Sequence, residues 1–303
     1  MIEDKILDET LGLINGSGTI DAYNFLKSNL SKLNEISSQV YNFLYCLAAT
    51  SHNEEEALEW LEEAILDKGI WYRPEVFEDE DLESIVDNER FKVCVGVSEE
   101  RYNNELKTAC TKFTLDSVLE ENLLVVLHGN QQNNVISQSY WSNVKLDKYQ
   151  IEYLQSKELD SYNLYRWDED GSAVEQLEQN LTKVSDMFQN TILSGFSAGC
   201  NAILHFIIET DIKIKGIILN SPWIPIIESQ GRLIVETLKE KKIKCLLICG
   251  NQDEDCYPLY QQFNALAEEV GYEFQEVIED EVGHEYSRDL YKYVSGFVSQ
   301  NKM

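Results

Sequence analysis

The sequence predicts a mainly parallel α/β sheet with helices on both faces, preceded by an all-α region over residues 1–105. Beyond about residue 106, short apolar β-leaning runs alternate with segments of helical spacing. Before that point apolar residues recur at helical intervals and no strand pattern is visible. In addition, Gly195-Phe196-Ser197-Ala198-Gly199 lies between an apolar run and a helix start, the strand–turn–helix order of a nucleophile elbow. The domain organisation read from these patterns is residues 1–105 and 106–303.

Length and charge set the outer bounds. A chain of 303 residues has room for two domains, and 43% apolar with 11% aromatic residues is the composition of a folded globular protein. A formal charge of −29 repels phosphate backbones and anionic headgroups, so neither nucleic acid nor a membrane is an expected partner. Solubility is the plain meaning of that charge; attraction of a cationic substrate or a basic partner is the functional one. No apolar run is long enough for a transmembrane helix. The acidic start Met1-Ile2-Glu3-Asp4-Lys5 does not read as a secretory signal. Seven cysteines without a Cys-x-x-Cys pair fit reduced thiols in the cytoplasm, with Cys46, Cys110 and Cys200 in apolar patterns. Cys245 and Cys249 share one face of a predicted strand and read as packing residues, so neither a metal nor another cofactor is expected.

In the first region Ala22, Phe25, Leu26 and Leu30 recur 35 residues later as Ala57, Trp60, Leu61 and Ile65. A small residue followed by large apolar ones at these intervals describes the packed face of a helix. Polar breaks, Asn15-Gly16-Ser17-Gly18 and Thr50-Ser51-His52-Asn53, separate the helices of each pair. Helix–turn–helix units of this period resemble tetratricopeptide repeats, and a protein or peptide partner is the functional reading of such a region. Two copies are fewer than stacked repeats need, so the region is expected to complete its core against the following domain. The acidic run Glu78-Asp79-Glu80-Asp81 precedes Leu82, Ile85, Val86 and Phe91 and reads as negative charge at a helix N-terminus. A calcium loop would need a glycine-bearing ligand pattern that is lacking here.

In the second region the continuous apolar run 123–127 predicts a central buried strand. Further strands are expected at 149–154, 215–219, 244–249 and 274–278 and in the β-leaning segment that starts at Thr191 and leads into the elbow, and helices at 174–188, 198–208, 233–241, 257–270 and 290–298. The short interval between residues 220 and 242 leaves no room for a large lid.

Chemistry enters at the elbow. Gly195 and Gly199 let strand and helix approach closely, and Ser197 between them is the candidate nucleophile. A serine hydroxyl needs a base to take its proton and an acid to hold that base, which in this arrangement follow in the order Ser, acid, His. Of four histidines, His52 lies in the helical region, His205 inside the elbow helix, and His128 before Ser197. His284, after the last predicted strand, is therefore the candidate base. The acid belongs in Gly250-Asn251-Gln252-Asp253-Glu254-Asp255, where Asp253 is favoured, Asp255 is the alternative, and Glu254 is expected to face solvent. The oxyanion of an acyl-transfer reaction needs preorganised N–H donors. Ala198 supplies one, and Asn130 or Gln131, after the first buried strand, supplies the other, with Asn130 slightly favoured. His128 is expected to be a structural loop residue. Gln131, Gln132 and Asn133 are expected to form an amide-rich rim that reads a polar leaving group.

His128-Gly129, the Gly195–Gly199 elbow, Gly250-x-x-Asp253 and Gly283-His284 together resemble the α/β-hydrolase superfamily, in size and motifs its phospholipase/carboxylesterase-like branch. A helical region ahead of such a domain is also similar to a group of bacterial hydrolases. The resemblance implies a metal-free serine hydrolase acting on a small-molecule ester or thioester through an acyl-enzyme. A binding protein, with a helical region that captures a peptide and an inactive hydrolase fold, is the competing class.

Overall fold

Four helices open the chain where the recurring apolar positions place them: α1 (Ile2–Gly16), α2 (Thr19–Asn29), α3 (Ser38–Thr50) and α4 (Glu54–Glu62). The structure, a computed structural model, describes residues 2–167 and 172–301. It divides into two units, residues 1–109 with 159–164, and residues 110–158 with 165–303.

In the first unit the two polar breaks are the turns within the helix pairs. Ala22, Leu26, Ala57 and Leu61 are fully buried, as a packed helix face requires. The pairing does not continue. After α4 come a π-helical turn (Glu63–Asp67), two 3-10 turns (Pro74–Glu78 and Glu80–Leu82) and one long helix, α5 (Glu89–Leu106). The Arg101 guanidinium donates to the carbonyls of Ile65 and Ile70, supplying partners where the π turn disturbs the ladder. The helix expected behind the acidic run starts later, at Glu89, because Asn88 caps it by accepting from the Arg90 N–H at 2.9 Å. Asp79 instead caps a 3-10 turn through the Asp81 N–H. The buried apolar cluster of this unit is made from its own residues, Ile6 to Cys94.

A hairpin absent from the sequence reading, β4 (Glu158–Ser161) with β5 (Leu164–Arg166), supplies residues 159–164 to this unit. Ser161 bridges to Tyr72, the Tyr162 N–H donates to the Trp71 carbonyl, and the Ser38 hydroxyl reaches Ser161 Oγ at 3.1 Å.

The second unit is built on a seven-stranded sheet. Its strands are β1 (Lys112–Phe113), β2 (Asn122–Leu127), β3 (Tyr149–Gln155), β6 (Thr191–Phe196), β7 (Gly216–Asn220), β8 (Lys244–Gly250) and β9 (Gln275–Glu279). The spatial order is β1-β3-β2-β6-β7-β8-β9; only β1 runs antiparallel to its neighbour. The helices are α6 (Asn134–Trp141), α7 (Ser172–Leu181), α8 (Ala198–Glu209), α9 (Ile226–Glu240), α10 (Tyr257–Val270) and α11 (Leu290–Gln300).

Side chains alternate across each strand, so a strand covered on both faces, as β2 is, reads as an unbroken apolar run from Leu123 to Leu127. Leu123, Val125 and Leu127 join the cluster under α7, α8, α9 and α10, whereas Leu124 and Val126 join the one with Trp141, Val294 and Phe297 of α6 and α11. Two elements differ from expectation in extent. Helix α7 ends at Leu181, followed by a 3-10 turn, Ser185–Met187. Helix α9 begins at Ile226, well before the expected Leu233, and its Gly231 is a packing residue: a Cβ there would lie 2.5 Å from Leu266 Cδ1 of α10. Between β2 and β6 the strand order reverses direction, so their C-terminal ends flank the crevice where parallel sheets bind ligands. Ser197 follows β6 at that point.

Candidate active site

The elbow is tight because its backbone is folded against itself. Ser197 has φ 49° and ψ −121°, a conformation costing about 1–3 kcal/mol for a non-glycine residue. Its N–H donates to the Asn220 carbonyl at 3.1 Å. A Cβ on Gly195 would lie 2.6 Å from Cys200 N, and one on Gly199 would lie 2.5 Å from the His128 carbonyl oxygen. Glycine at both positions follows from that crowding.

Three loops converge on Ser197. His284 Nε2 lies 2.9 Å from Ser197 Oγ, and His284 Nδ1 lies 2.8 Å from Asp253 Oδ2. Asp253 is buried, and its other oxygen accepts from the Cys256 N–H at 3.0 Å. Burial acts to raise the Asp253 pKa, but the His284 and Cys256 bonds outweigh it and hold the carboxyl below its ordinary value. An ionised Asp253 accepts only, so His284 Nδ1 carries the proton and Nε2 is left to accept from the serine hydroxyl. Asp255 and Glu254 are exposed. A Cβ on Gly250 would sit 2.2 Å from the Val282 carbonyl oxygen, so the acid loop lies directly against the histidine loop.

Asn220 and Ser221 tie these loops together. The Asn220 carbonyl holds the elbow, while the Ser221 hydroxyl donates to the Glu285 carbonyl at 2.8 Å. The Ser287 N–H donates to Asn220 Oδ1, and the Cys256 thiol donates to the Ser221 carbonyl. Asn220, Ser221, Cys256 and Ser287 were not singled out in the sequence as part of the site, because hydroxyl, amide and thiol anchors have no distinctive spacing.

On the other side of Ser197 runs the loop after β2. A Cβ on Gly129 would lie 3.2 Å from Ser197 Cβ and 2.8 Å from Phe196 Cδ1, so this loop is pressed onto the elbow. Gln131 has φ 56°, which turns the chain at the loop tip. The Asn130 side-chain carbonyl accepts from the Trp167 N–H at 2.8 Å. His128 is fully buried; its Nε2 accepts from the Ser156 N–H, and its Nδ1 donates to the Gly129 carbonyl. Burial lowers its pKa to about 4 against the opposing effect of the Gly129 carbonyl, so it is neutral and structural. The amide-rich rim expected here is mostly not a rim. Asn133 caps α6 by accepting from the Ile136 N–H, and Gln132 Oε1 accepts from the Gly129 N–H and the Tyr286 hydroxyl.

Asp253, Cys256 and His284 also bring metal-ligating atoms within 4.8 Å of one another, as do Cys46, Asp79 and Asp81 of the first unit. At the first of these, the carboxylate and imidazole already bind each other. Burial, reinforced by Asp253, pushes the Cys256 thiol well up, so it stays protonated. The seven cysteines are free; six are buried, whereas Cys110, placed in an apolar pattern by the sequence reading, is exposed. No helix among the described residues is long and apolar enough to cross a membrane.

Residues 2–106 match the family described as A/B hydrolase-like, N-terminal domain. A search of curated proteins returned no significant match. Among solved structures, an uncharacterized protein from Bacillus cereus ATCC 10987 is 29% identical, with 99% of each chain covered and a TM-score of 0.57. Acyl-protein thioesterase 2 from Zea mays is 14% identical, covering 64% of this chain and 99% of its own, with a TM-score of 0.47. A Bacillus cereus carboxylesterase is 16% identical, covering 67% and 99%, with a TM-score of 0.48. The N-terminal match concerns the helical region and is to a hydrolase-associated family, not a tetratricopeptide one. The parallel sheet order, with the elbow at its reversal point, gives residues 110–158 and 165–303 an α/β-hydrolase-type fold.

Proposed function

We propose that the chain is a serine hydrolase of the carboxylesterase type, cleaving small-molecule ester or thioester bonds through an acyl-enzyme on Ser197. The observation that carries this reading is the unbroken line from Ser197 Oγ to His284 Nε2 and from His284 Nδ1 to Asp253 Oδ2, at 2.9 and 2.8 Å. In the first step Ser197 Oγ forms a bond to the acyl carbon while His284 Nε2 takes the hydroxyl proton. Negative charge that develops on the carbonyl oxygen is met by the backbone N–H groups of Ala198 and Asn130. The tetrahedral species collapses, the bond to the alkoxide or thiolate breaks, and His284 returns the proton to that leaving group. Water then enters and its oxygen bonds to the acyl carbon as His284 Nε2 takes one of its protons; the acyl–Ser197 bond breaks, His284 returns that proton to Ser197 Oγ, and the carboxylic acid leaves.

Asp253 holds the imidazole in the Nδ1–H form and stabilises the imidazolium that arises twice in the cycle. Asp255, exposed one turn further on, has no part in it. No metal or organic cofactor takes part in this scheme. The setting we assign is the cytoplasm, where a reducing poise suits seven free cysteines.

The test is turnover of p-nitrophenyl acyl esters and acyl-coenzyme A thioesters by wild type and Ser197→Ala. Hydrolysis by wild type that is lost in the variant supports the reading. No turnover of either class by folded wild type contradicts it.

A further inference from the structure

Resting on that serine-hydrolase reading, we infer that Tyr286 and Gln132 act as a single brace that sets the position of the oxyanion loop relative to the nucleophile and the base. Neither residue is placed to touch the reacting atoms. Each touches backbone or rings that carry them.

Tyr286 stands two residues after His284, on the same loop, and is 6% exposed. Its ring stacks on Phe196, the residue before Ser197, with centroids 3.8 Å apart and planes 12° from parallel. On its far side it stacks on Tyr140 of α6 at 4.1 Å and 13°. The base loop and the elbow are therefore joined face to face through this ring. Its hydroxyl lies 3.2 Å from Gln132 Oε1 and 3.3 Å from Ser137 Oγ.

Gln132 carries the connection into the oxyanion loop. The same Oε1 accepts from the Gly129 N–H at 3.1 Å, and the Gln132 carbonyl accepts from the Tyr165 N–H at 2.8 Å. One oxygen thus fixes the first peptide of the loop and the base-loop tyrosine together. The next peptide carries the Asn130 N–H assigned above to the oxyanion. Gly129 is itself pressed on Phe196, so the loop has a contact on one side and the brace on the other. Removing the shared acceptor frees the Gly129 peptide to rotate, and a donor misplaced by about 1 Å at such a site can cost ~100-fold in rate.

The consequence is specific to the chemical step. Ground-state binding depends little on the oxyanion donors, whereas the tetrahedral transition state depends on them strongly. Tyr286→Phe keeps the ring stack and deletes only the hydroxyl; we expect kcat to fall about tenfold with KM changed by less than about twofold. Gln132→Met fills similar space without an acceptor; we expect kcat to fall ~10–100-fold, again with KM nearly constant. Because both changes break contacts at one oxygen, the double variant should be about as slow as Gln132→Met alone, not slower by the product of the two factors.

The experiment is steady-state kinetics of the four full-length proteins on one p-nitrophenyl ester, with thermal unfolding and fluorophosphonate labelling of each. Labelling of Ser197 that persists in all four, with the predicted kcat losses and non-additivity, supports the brace. Active wild type with variants whose kcat is unchanged, or whose losses multiply, overturns the brace and leaves the serine reading standing. A variant that melts earlier yet keeps kcat assigns these residues to stability alone and overturns it equally. Wild type that neither labels nor turns over removes the serine reading, and the brace falls with it.

Discussion

His128 offers a test of the structure that does not depend on the substrate. It is fully buried at the end of β2, accepting from the Ser156 N–H at 3.1 Å and donating to the Gly129 carbonyl at 2.6 Å. Burial brings its pKa from 6.5 down to about 4. Between those two values the unfolded chain binds a proton that the folded chain refuses, so stability falls as the pH falls through this window. At ~1.4 kcal/mol per pH unit, that drop corresponds to roughly 3 kcal/mol lost between pH 7 and pH 4. The perturbation is His128→Asn, whose side-chain N–H can still reach the Gly129 carbonyl but cannot titrate. At pH 7 the variant should be less stable by about 1–3 kcal/mol, because the Ser156 N–H loses its acceptor. As the pH is lowered, wild type should lose its advantage, and near pH 4 the two should converge or cross. Urea unfolding at constant ionic strength measures this, and the difference between the proteins cancels the titration of the 54 acidic side chains they share. A stability difference that stays constant from pH 7 to pH 4 would refute the buried neutral imidazole.

Asp253→Asn should lower kcat by about 10³–10⁴ by removing the charge that orients the imidazole, while Asp255→Asn should leave kcat within about twofold; ester turnover distinguishes them. Gly250→Ala should destabilise the protein by ~1–3 kcal/mol and reduce activity, because its Cβ would meet the Val282 carbonyl at 2.2 Å and push the acid and base loops apart. Chemical unfolding and ester turnover read the two effects. In the first unit, Ser98 is fully buried, and its hydroxyl accepts from the Tyr72 N–H at 2.8 Å and donates to the Tyr72 carbonyl. Ser98→Ala should cost about 1–3 kcal/mol in unfolding free energy.

The centre of the sheet was legible because β2 is buried on both faces and reads as an unbroken apolar run from Leu123 to Leu127. The elbow was legible because the backbone geometry at Ser197 restricts the residue types around it. His284 was singled out by position, because of the four histidines it alone follows the last expected strand, and its Nε2 lies 2.9 Å from Ser197 Oγ. What stayed hidden has physical reasons. Helix α9 starts well before the expected Leu233, and within its added turns the missing Cβ of Gly231 is what lets α10 approach. The β4–β5 hairpin was missed because its partners, Tyr72 and Ser38, lie far away in sequence. Gln132 was read as rim because an amide beside a catalytic loop suggests ligand contact, whereas its oxygen is taken by Gly129 and Tyr286. Tyr286 and Cys256 carried no signal, since single aromatic and thiol residues are as common in cores as in sites.

The proposed reaction requires above all that Ser197 be an activated nucleophile. The most direct measurement is intact mass and peptide mapping after exposure to a fluorophosphonate, with His284→Ala as the control. Wild type is expected to carry one adduct, located on Ser197, and the rate of labelling to collapse in His284→Ala. Folded wild type that acquires no adduct, or acquires it elsewhere, would contradict it.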